Sequence, residues 1–201
     1  MKIGVLALQG DVAEHLQALT AVGVDAYPVK TAAEIVGIDA MVIPGGESTT
    51  IAKLARSFDL FDLIQGRIRS GMPVYGSCAG MILLANEVTD SAKGQETFGG
   101  LAVTVRRNAF GRQVDSFETD LHFQGISDGA IKAIFIRAPW VEQIGPEVSV
   151  LAEVAAFGHN HAVAVRQGNL LATSFHPEIS GDNRVHRYFV EEVCHDLVSG
   201  K

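Results

Sequence analysis

Only 2 of the 201 residues are cysteine, too few for the disulfide framework that stabilises many small exported domains. Long apolar runs are missing too, since no stretch approaches the ~20 residues needed to cross a bilayer. The opening run Ile3–Leu8 is too short, and too soon interrupted by Asp11, to serve as a signal peptide. These absences set the expectation of a cytoplasmic chain with free thiols and no membrane partner. Positive charge is scarce: 16 Lys and Arg face 23 Asp and Glu, for a net charge of -7. With no basic stripe to track a phosphate backbone, nucleic acid is not an expected partner. No internal repeat, low-complexity tract or linker divides the chain, and its length suits a single domain over 1–201.

What is present alternates. In the first half, apolar runs of strand length (Lys2–Leu8, Asp25–Lys30, Asp39–Ile43, Pro73–Gly76) are separated by helical patterns at Asp11–Val22, Thr31–Val36, Thr49–Ile68 (broken once) and Ala79–Glu87. Asp11 with Glu14, and Thr31 with Glu34, have the spacing of capping boxes. Near-continuous apolar strands alternating with helices predict an α/β fold, a mostly parallel sheet with helices on both faces. The second half is richer in strands: Val103–Arg106, Ala133–Arg137, Val148–Ala155, His161–Arg166 and Leu170–Ser174. Gln167-Gly168-Asn169 reads as a hairpin turn, Asp182–Val198 as a closing helix, and Ser91–Gly100 as the most loop-like and mobile segment.

Three strand ends carry chemistry. Gly76-Ser77-Cys78-Ala79-Gly80 follows a short apolar strand and opens a helix, the setting of a nucleophile elbow with Cys in place of Ser. The helix N-terminus favours thiolate there, although a buried structural cysteine at a tight βα turn would read the same way. Ser174-Phe175-His176-Pro177-Glu178 ends the last apolar strand. In extended chain residues two apart share a side, so Glu178 can fix the tautomer of His176 as the third group of a triad. Alone, that pair could equally be an incidental surface loop. Pro44-Gly45-Gly46-Glu47-Ser48-Thr49-Thr50 offers backbone N–H groups for an oxyanion, and Ser48 or Thr49 as a helix cap. It lacks the Lys of a phosphate-binding loop.

Together these blocks resemble the class I glutamine amidotransferases. With Val5–Asp11, Arg107–Glu118 and Phe135–Pro139 added, the chain is similar over nearly its whole length to one branch of them, the glutaminase subunits of pyridoxal 5′-phosphate synthase. The Arg107–Glu118 block is far more specific than the triad. The resemblance implies Cys78 as nucleophile, His176 as general acid/base and Glu178 as its orienting partner. It implies glutamine-binding positions at Gly46, Glu47, Ser48, Arg107, Ile136 and Arg137, and an oxyanion site at Gly46 and Ala79. L-glutamine is then the substrate, a separate synthase subunit the partner, and no cofactor is needed. A glutaminase serving histidine or purine synthesis fits the triad as well but not the Arg107–Glu118 block. Intact triad residues argue against a non-catalytic regulatory protein on this fold.

Two further expectations arise. Ammonia escapes unless its release is coupled to a consumer, so the Gly45-Gly46 loop or the Gln9-Gly10 turn is expected to become productive only when the synthase docks. His159 and His161 could share a strand face, but without an accompanying Cys or carboxylate cluster they read as a polar turn, and no metal is expected.

Overall fold

In the computed structural model, residues 1–91, 93–110 and 116–195 are described. The first half runs β1 (Lys2–Leu6), α1 (Val12–Ala21), β2 (Asp25–Val29), α2 (Ala32–Val36), β3 (Ala40–Ile43), α3 (Ser48–Ser57), α4 (Phe61–Arg69), β4 (Val74–Ser77), α5 (Ala79–Leu84). Then follow β5 (Ala85–Thr89), β6 (Leu101–Arg106), β7 (Ser116–Leu121), β8 (Ile131–Ile136), β9 (Trp140–Ile144), β10 (Ser149–Ala156), β11 (His159–Gln167) and β12 (Leu170–Thr173). The described chain closes with α6 (Pro177–Ser180), α7 (Arg184–Tyr188) and a π-helical turn at Phe189–Val193.

The main sheet runs β2-β1-β3-β4-β12-β11-β9-β6-β5, with β10 on β11, and β7-β8 form a separate ribbon. From β2 to β12 every pairing is parallel, and β3, β4 and β12 are buried throughout. Alternate residues feed two cores. Met41 and Ile43 face α3, α4 and α5 through Ile51, Ala55 and Ile64, while Ala40, Val42 and Tyr75 face α1, α7 and the closing turn through Leu19, Val185 and Phe189. Each such side chain contributes ~1.5–3 kcal/mol on burial, so covering both faces locks the register of the three central strands. Among the described residues no helix is long and apolar enough to cross a membrane.

The expected helix at Thr49–Ile68 is broken once, between α3 and α4. The hairpin at Gln167-Gly168-Asn169 is present, with Gln167 paired to Leu170 and Gly168 at φ 53°. Thr31 and Glu34 form a full capping box.

Other boundaries differ. The helix expected to reach Glu87 stops at Leu84, because Ala85–Thr89 pairs in parallel with β6 as an edge strand. An apolar run such as Met81–Ala85 is buried in either conformation, so periodicity could not place the break. β7 and β9 were not expected. Ser116, Glu118 and Asp120 occupy alternate positions of β7, which lowers its mean hydropathy without spoiling the strand. The closing segment is not one helix: α7 passes into the π-helical turn, and residues 196–198 lie outside those described. His159 and His161 sit in β11, not in a turn; the turn is Phe157-Gly158, both at positive φ. The His161 ring stacks on Trp140 at 3.7 Å. Segment 91–100 has no regular element in its described part, yet Phe98 is buried against Phe61 and Glu96 pairs with Arg56 at 2.7 Å.

Candidate active site

β3, β4 and β12 are adjacent and parallel, so the segments that follow them emerge side by side at the carboxyl edge of the sheet, where open α/β folds bind ligands. These are the Pro44-Gly45-Gly46, Cys78 and His176 segments. Sequence separations of 32 and 98 positions (44 to 76, 76 to 174) disappear in the fold.

Cys78 adopts φ 48°, ψ -98°, a conformation that L-residues resist, between the last residue of β4 and the first of α5. Strain of this kind costs ~1–3 kcal/mol and persists only where the surroundings impose it. Here the glycines impose it. A Cβ on Gly76 would lie 2.5 Å from the backbone of Gly80, and one on Gly80 would collide with the Ile43 carbonyl. The two chain segments therefore touch backbone to backbone, which leaves the thiol as the protruding group. Its Sγ–H points to the Ile136 carbonyl at 3.9 Å.

His176 ends the run after β12 at φ -108°, ψ 85°. The carboxylate reaches it by a different route from the extended chain expected. Pro177 starts α6, so the chain turns at once into a helical bend and Glu178 folds back beneath the ring. The imidazole Nδ1–H donates to Glu178 Oε1 at 2.7 Å, a bond that orients the ring with Nε2 toward the thiol. Glu178 is fully enclosed, with a side-chain exposure of 0%.

A second carboxylate reaches the same nitrogen. Asp11 was expected to cap α1, but it makes no capping hydrogen bond. Its Oδ2 lies 3.3 Å from His176 Nδ1. Burial alone would push the imidazole down; its hydrogen bonds with Asp11, Cys78 and Glu178 overcome that and raise it to about 12. His176 is accordingly held as imidazolium at neutral pH. Asp11, His176 and Glu178 also bring three potential metal-ligating atoms within 4.8 Å of one another, but the ring nitrogen is already committed to the two carboxylates.

The cavity above these groups has a volume of about 310 Å³. Gly46, Glu47 and Ser48 form one wall, Arg107, Ile136 and Arg137 another, and Cys78, Ala79 and His176 the floor. Glu178 alone of the expected site residues is not on the surface of the cavity; it lies behind His176. Arg107 Nη2 donates to Glu47 Oε1 at 2.8 Å. Ser48 is the first residue of α3 and not a cap, Thr49 is not a cap either, and the Ser48 hydroxyl donates to Gln95 Oε1 at 2.7 Å. Residues 111–115 of the Arg107–Glu118 block lie outside the described residues.

Sequence reasoning did not single out Asn108, which lines the cavity at φ 45°, or the contact of Asp11 with the imidazole. A buried group behind Glu178 was missed as well: Ser77, His15 and His186. The one available signal was spacing. Asp11 and His15 are four apart at the start of α1 and so share a face.

An open α/β sheet with a strained cysteine elbow beside an imidazole and a carboxylate has the fold of the class I glutamine amidotransferases. A solved structure described as "Crystal structure of glutamine amidotransferase" superposes with a TM-score of 0.85 at 46% identity, covering 94% of this chain and 97% of that one. The chain belongs to the SNO glutamine amidotransferase family, whose model matches residues 5–195. It is 61% identical over 201 residues to the pyridoxal 5′-phosphate synthase subunit PdxT of Kineococcus radiotolerans, covering 98% of this chain and 97% of that protein. The PdxT of Acidothermus cellulolyticus is 58% identical over 194 residues, covering 96% and 94%. PurLQS from Thermotoga maritima, at 15% identity and a TM-score of 0.69 over 94% of this chain and 97% of that one, shares the fold.

Proposed function

We propose that this chain is the glutaminase subunit of a pyridoxal 5′-phosphate synthase, releasing ammonia from L-glutamine and passing it to the synthase subunit. Near-complete, high-identity similarity to two PdxT proteins is the observation that carries this reading. The reading includes a cytoplasmic setting, which keeps Cys78 reduced; finding the chain in an oxidising compartment would remove that part.

In this reading Cys78 thiolate attacks the side-chain amide carbon of glutamine. Backbone N–H groups at Gly46 and Ala79 receive the developing oxyanion. His176 protonates the departing ammonia, leaving a glutamyl thioester that water, activated by His176, resolves to glutamate. The chemistry of His176 supports the sequence of steps. Part of what raises its proton affinity is Cys78 itself. Once the sulfur is acylated that support is lost, and the imidazolium becomes a better acid when ammonia needs a proton. Glu178 compensates the ring charge throughout.

Arg107 and Glu47 hold each other across the cavity, and glutamine, as a zwitterion, can replace that pair with two of its own: carboxylate to Arg107 and ammonium to Glu47. Arg107→Ala is expected to raise KM roughly tenfold to hundredfold, as for loss of a charged hydrogen bond worth ~1.5–3 kcal/mol, with little change in kcat. Initial-rate kinetics check this, and an unchanged KM would remove Arg107 from substrate binding. Gly45→Ala acts on geometry instead. A methyl there would collide with His176 Cε1 and lie 2.8 Å from Asp11 Oδ2. Displacing a reacting group by ~1 Å costs ~100-fold, and that is the expected fall in kcat/KM; wild-type turnover would mean that the ring tolerates displacement.

Coupling to the synthase, in this reading, acts through the contact between the Gln9–Asp11 turn and the Gly45–Glu47 loop. Gln9 Oε1 accepts the Glu47 N–H at 2.7 Å, and the Asp11 N–H donates to the Gly45 carbonyl at 3.1 Å. A side chain on Gly10 would collide with the Gly45 carbonyl. The two loops are therefore tied to each other, so that a partner bearing on one bears on the other. Glutamate release by the chain alone and with its synthase tests the idea: a marked rise with the synthase is expected, and equal rates exclude coupling.

A further inference from the structure

Behind Glu178, on the side away from the cavity, lies a fully buried polar cluster with no part in the steps above. His15 and Ser77 are both 0% exposed, as is His186. Ser77 Oγ–H donates to Glu178 Oε1 at 3.2 Å. His15 Nε2 lies 3.1 Å from Ser77 Oγ and 3.5 Å from Glu178 Oε1. On its other side His15 Nδ1 meets His186 Nε2 at 2.9 Å. Tyr75 presents ring edges or faces to both imidazoles, at 5.9 Å and 5.7 Å.

The tautomers follow from counting partners. Burial keeps both rings neutral: it lowers His15 well below the usual histidine value, with help from His186 and His176, and lowers His186 to about 4. His186 Nδ1 has no hydrogen-bond partner among the described residues. A bare lone pair there is tolerable, whereas an N–H would be an unsatisfied buried donor. His186 therefore carries its proton on Nε2 and donates to His15 Nδ1. His15 then carries its own proton on Nε2, aimed at Ser77 and Glu178. The opposite assignment would set an imidazole lone pair against a buried carboxylate. Glu178 Oε2 also lacks a partner among the described residues, so the hydrogen bonds gather on Oε1 alone: His176 donates in front and Ser77 donates from behind, while His15 Nε2–H donates to Ser77 Oγ and lies 3.5 Å from Oε1.

We infer that His15, acting through Ser77, is a positioning residue that clamps the Glu178 carboxylate from behind so that Oε1 stays on His176 Nδ1. A carboxylate with one bound oxygen and one free one can swing about its terminal torsion. The clamp removes that freedom, and His186 fixes the His15 tautomer that provides it. Because Asp11 immediately precedes α1 and His15 lies in its first turn, one short stretch supplies both the second partner of the imidazole and the rear support of its carboxylate.

The inference rests on the glutaminase reading, and the test keeps the two apart. Glutamine hydrolysis is measured for the full chain mixed with its synthase, with wild type first; an inactive wild type would end the glutaminase reading itself. His15→Gln returns an amide N–H near the Nε2 position, His15→Asn leaves its amide too short, and His15→Phe keeps only the ring. For Asn and Phe a fall in kcat of roughly tenfold to hundredfold is expected, the scale on which outer partners orienting a functional imidazole act, with KM nearly unchanged. Gln is expected to recover most of that loss. Equal kcat for Gln and Asn, or wild-type kcat for Phe, would overturn the assignment, since a merely structural histidine does not distinguish the two amides. Should the His15 variants fail to fold, Ser77→Ala, which removes one hydroxyl, decides: a lowered kcat at constant KM is expected, and an unchanged kcat overturns the clamp.

Discussion

Cys78→Ala is expected to lower glutamate release by about 10⁴-fold or more, the scale on which removing a triad nucleophile acts, while glutamine still binds. Among the described residues no other thiol lines the cavity. The second cysteine, Cys194, is buried in the opposite core, and burial first, with Asp39 nearby, pushes its thiol up to about 12. Alanine keeps the Cβ, so the backbone strain at φ 48° remains and the melting temperature should stay close to that of wild type. Cys78→Gly makes a useful companion. It is equally inactive but relieves a conformation worth ~1–3 kcal/mol, so it should melt above the alanine variant. Glutamate production, isothermal binding and thermal unfolding report the three effects separately. Substantial turnover by the alanine variant would remove Cys78 from the mechanism.

The elements that position this site were legible because they are short, apolar and punctuated by glycine. β3, β4 and β12 are buried on both faces, so their sequences carry no polar alternation to confuse them with edge strands. Parallel neighbours then oblige the segments after them to share an edge. What sequence could not supply was the direction of side chains in irregular backbone. Glu178 reaches His176 through a proline-started helical bend, a geometry that residue spacing alone does not distinguish from an extended strand. Asp11 has the composition of a helix cap and is instead drawn to a cationic ring that lies 165 positions later in the chain (176 minus 11). His15 and His186 stand 171 positions apart in the chain, and only the fold reveals that they share a hydrogen bond. β7 and the end of α5 were lost for a simpler reason. Solvated edge strands alternate with charges, and fully buried segments show no period at all.

Glu178→Gln should be the next most damaging change, and its size measures how far the carboxylate does more than fill space. The replacement is nearly isosteric, yet neither orientation of the amide satisfies the site. With its oxygen on His176 and Ser77, the amide NH₂ occupies the position of Oε2, which has no partner among the described residues, and a buried donor left unpaired costs ~1–3 kcal/mol. Turned over, the NH₂ faces the Nδ1–H, donor against donor, and no longer supports the protonated ring. In either case the imidazolium loses its enclosed counter-charge. An amide in the equivalent place of a serine triad lowers kcat by ~10⁴. Here Asp11 still lies 3.3 Å from Nδ1 but is half-exposed, so a somewhat smaller loss, on the order of 10²–10³, is expected. The pH profile carries the sign. The Glu178 hydrogen bond is among the interactions that raise His176 against the opposing effect of burial. Its removal lowers the proton affinity of the ring, and the alkaline limb of kcat/KM must move to lower pH. Adding Asp11→Asn should deepen both effects. A Gln variant with near-wild-type kcat and an unmoved alkaline limb would mean that Asp11, not Glu178, is the functional partner of the imidazole.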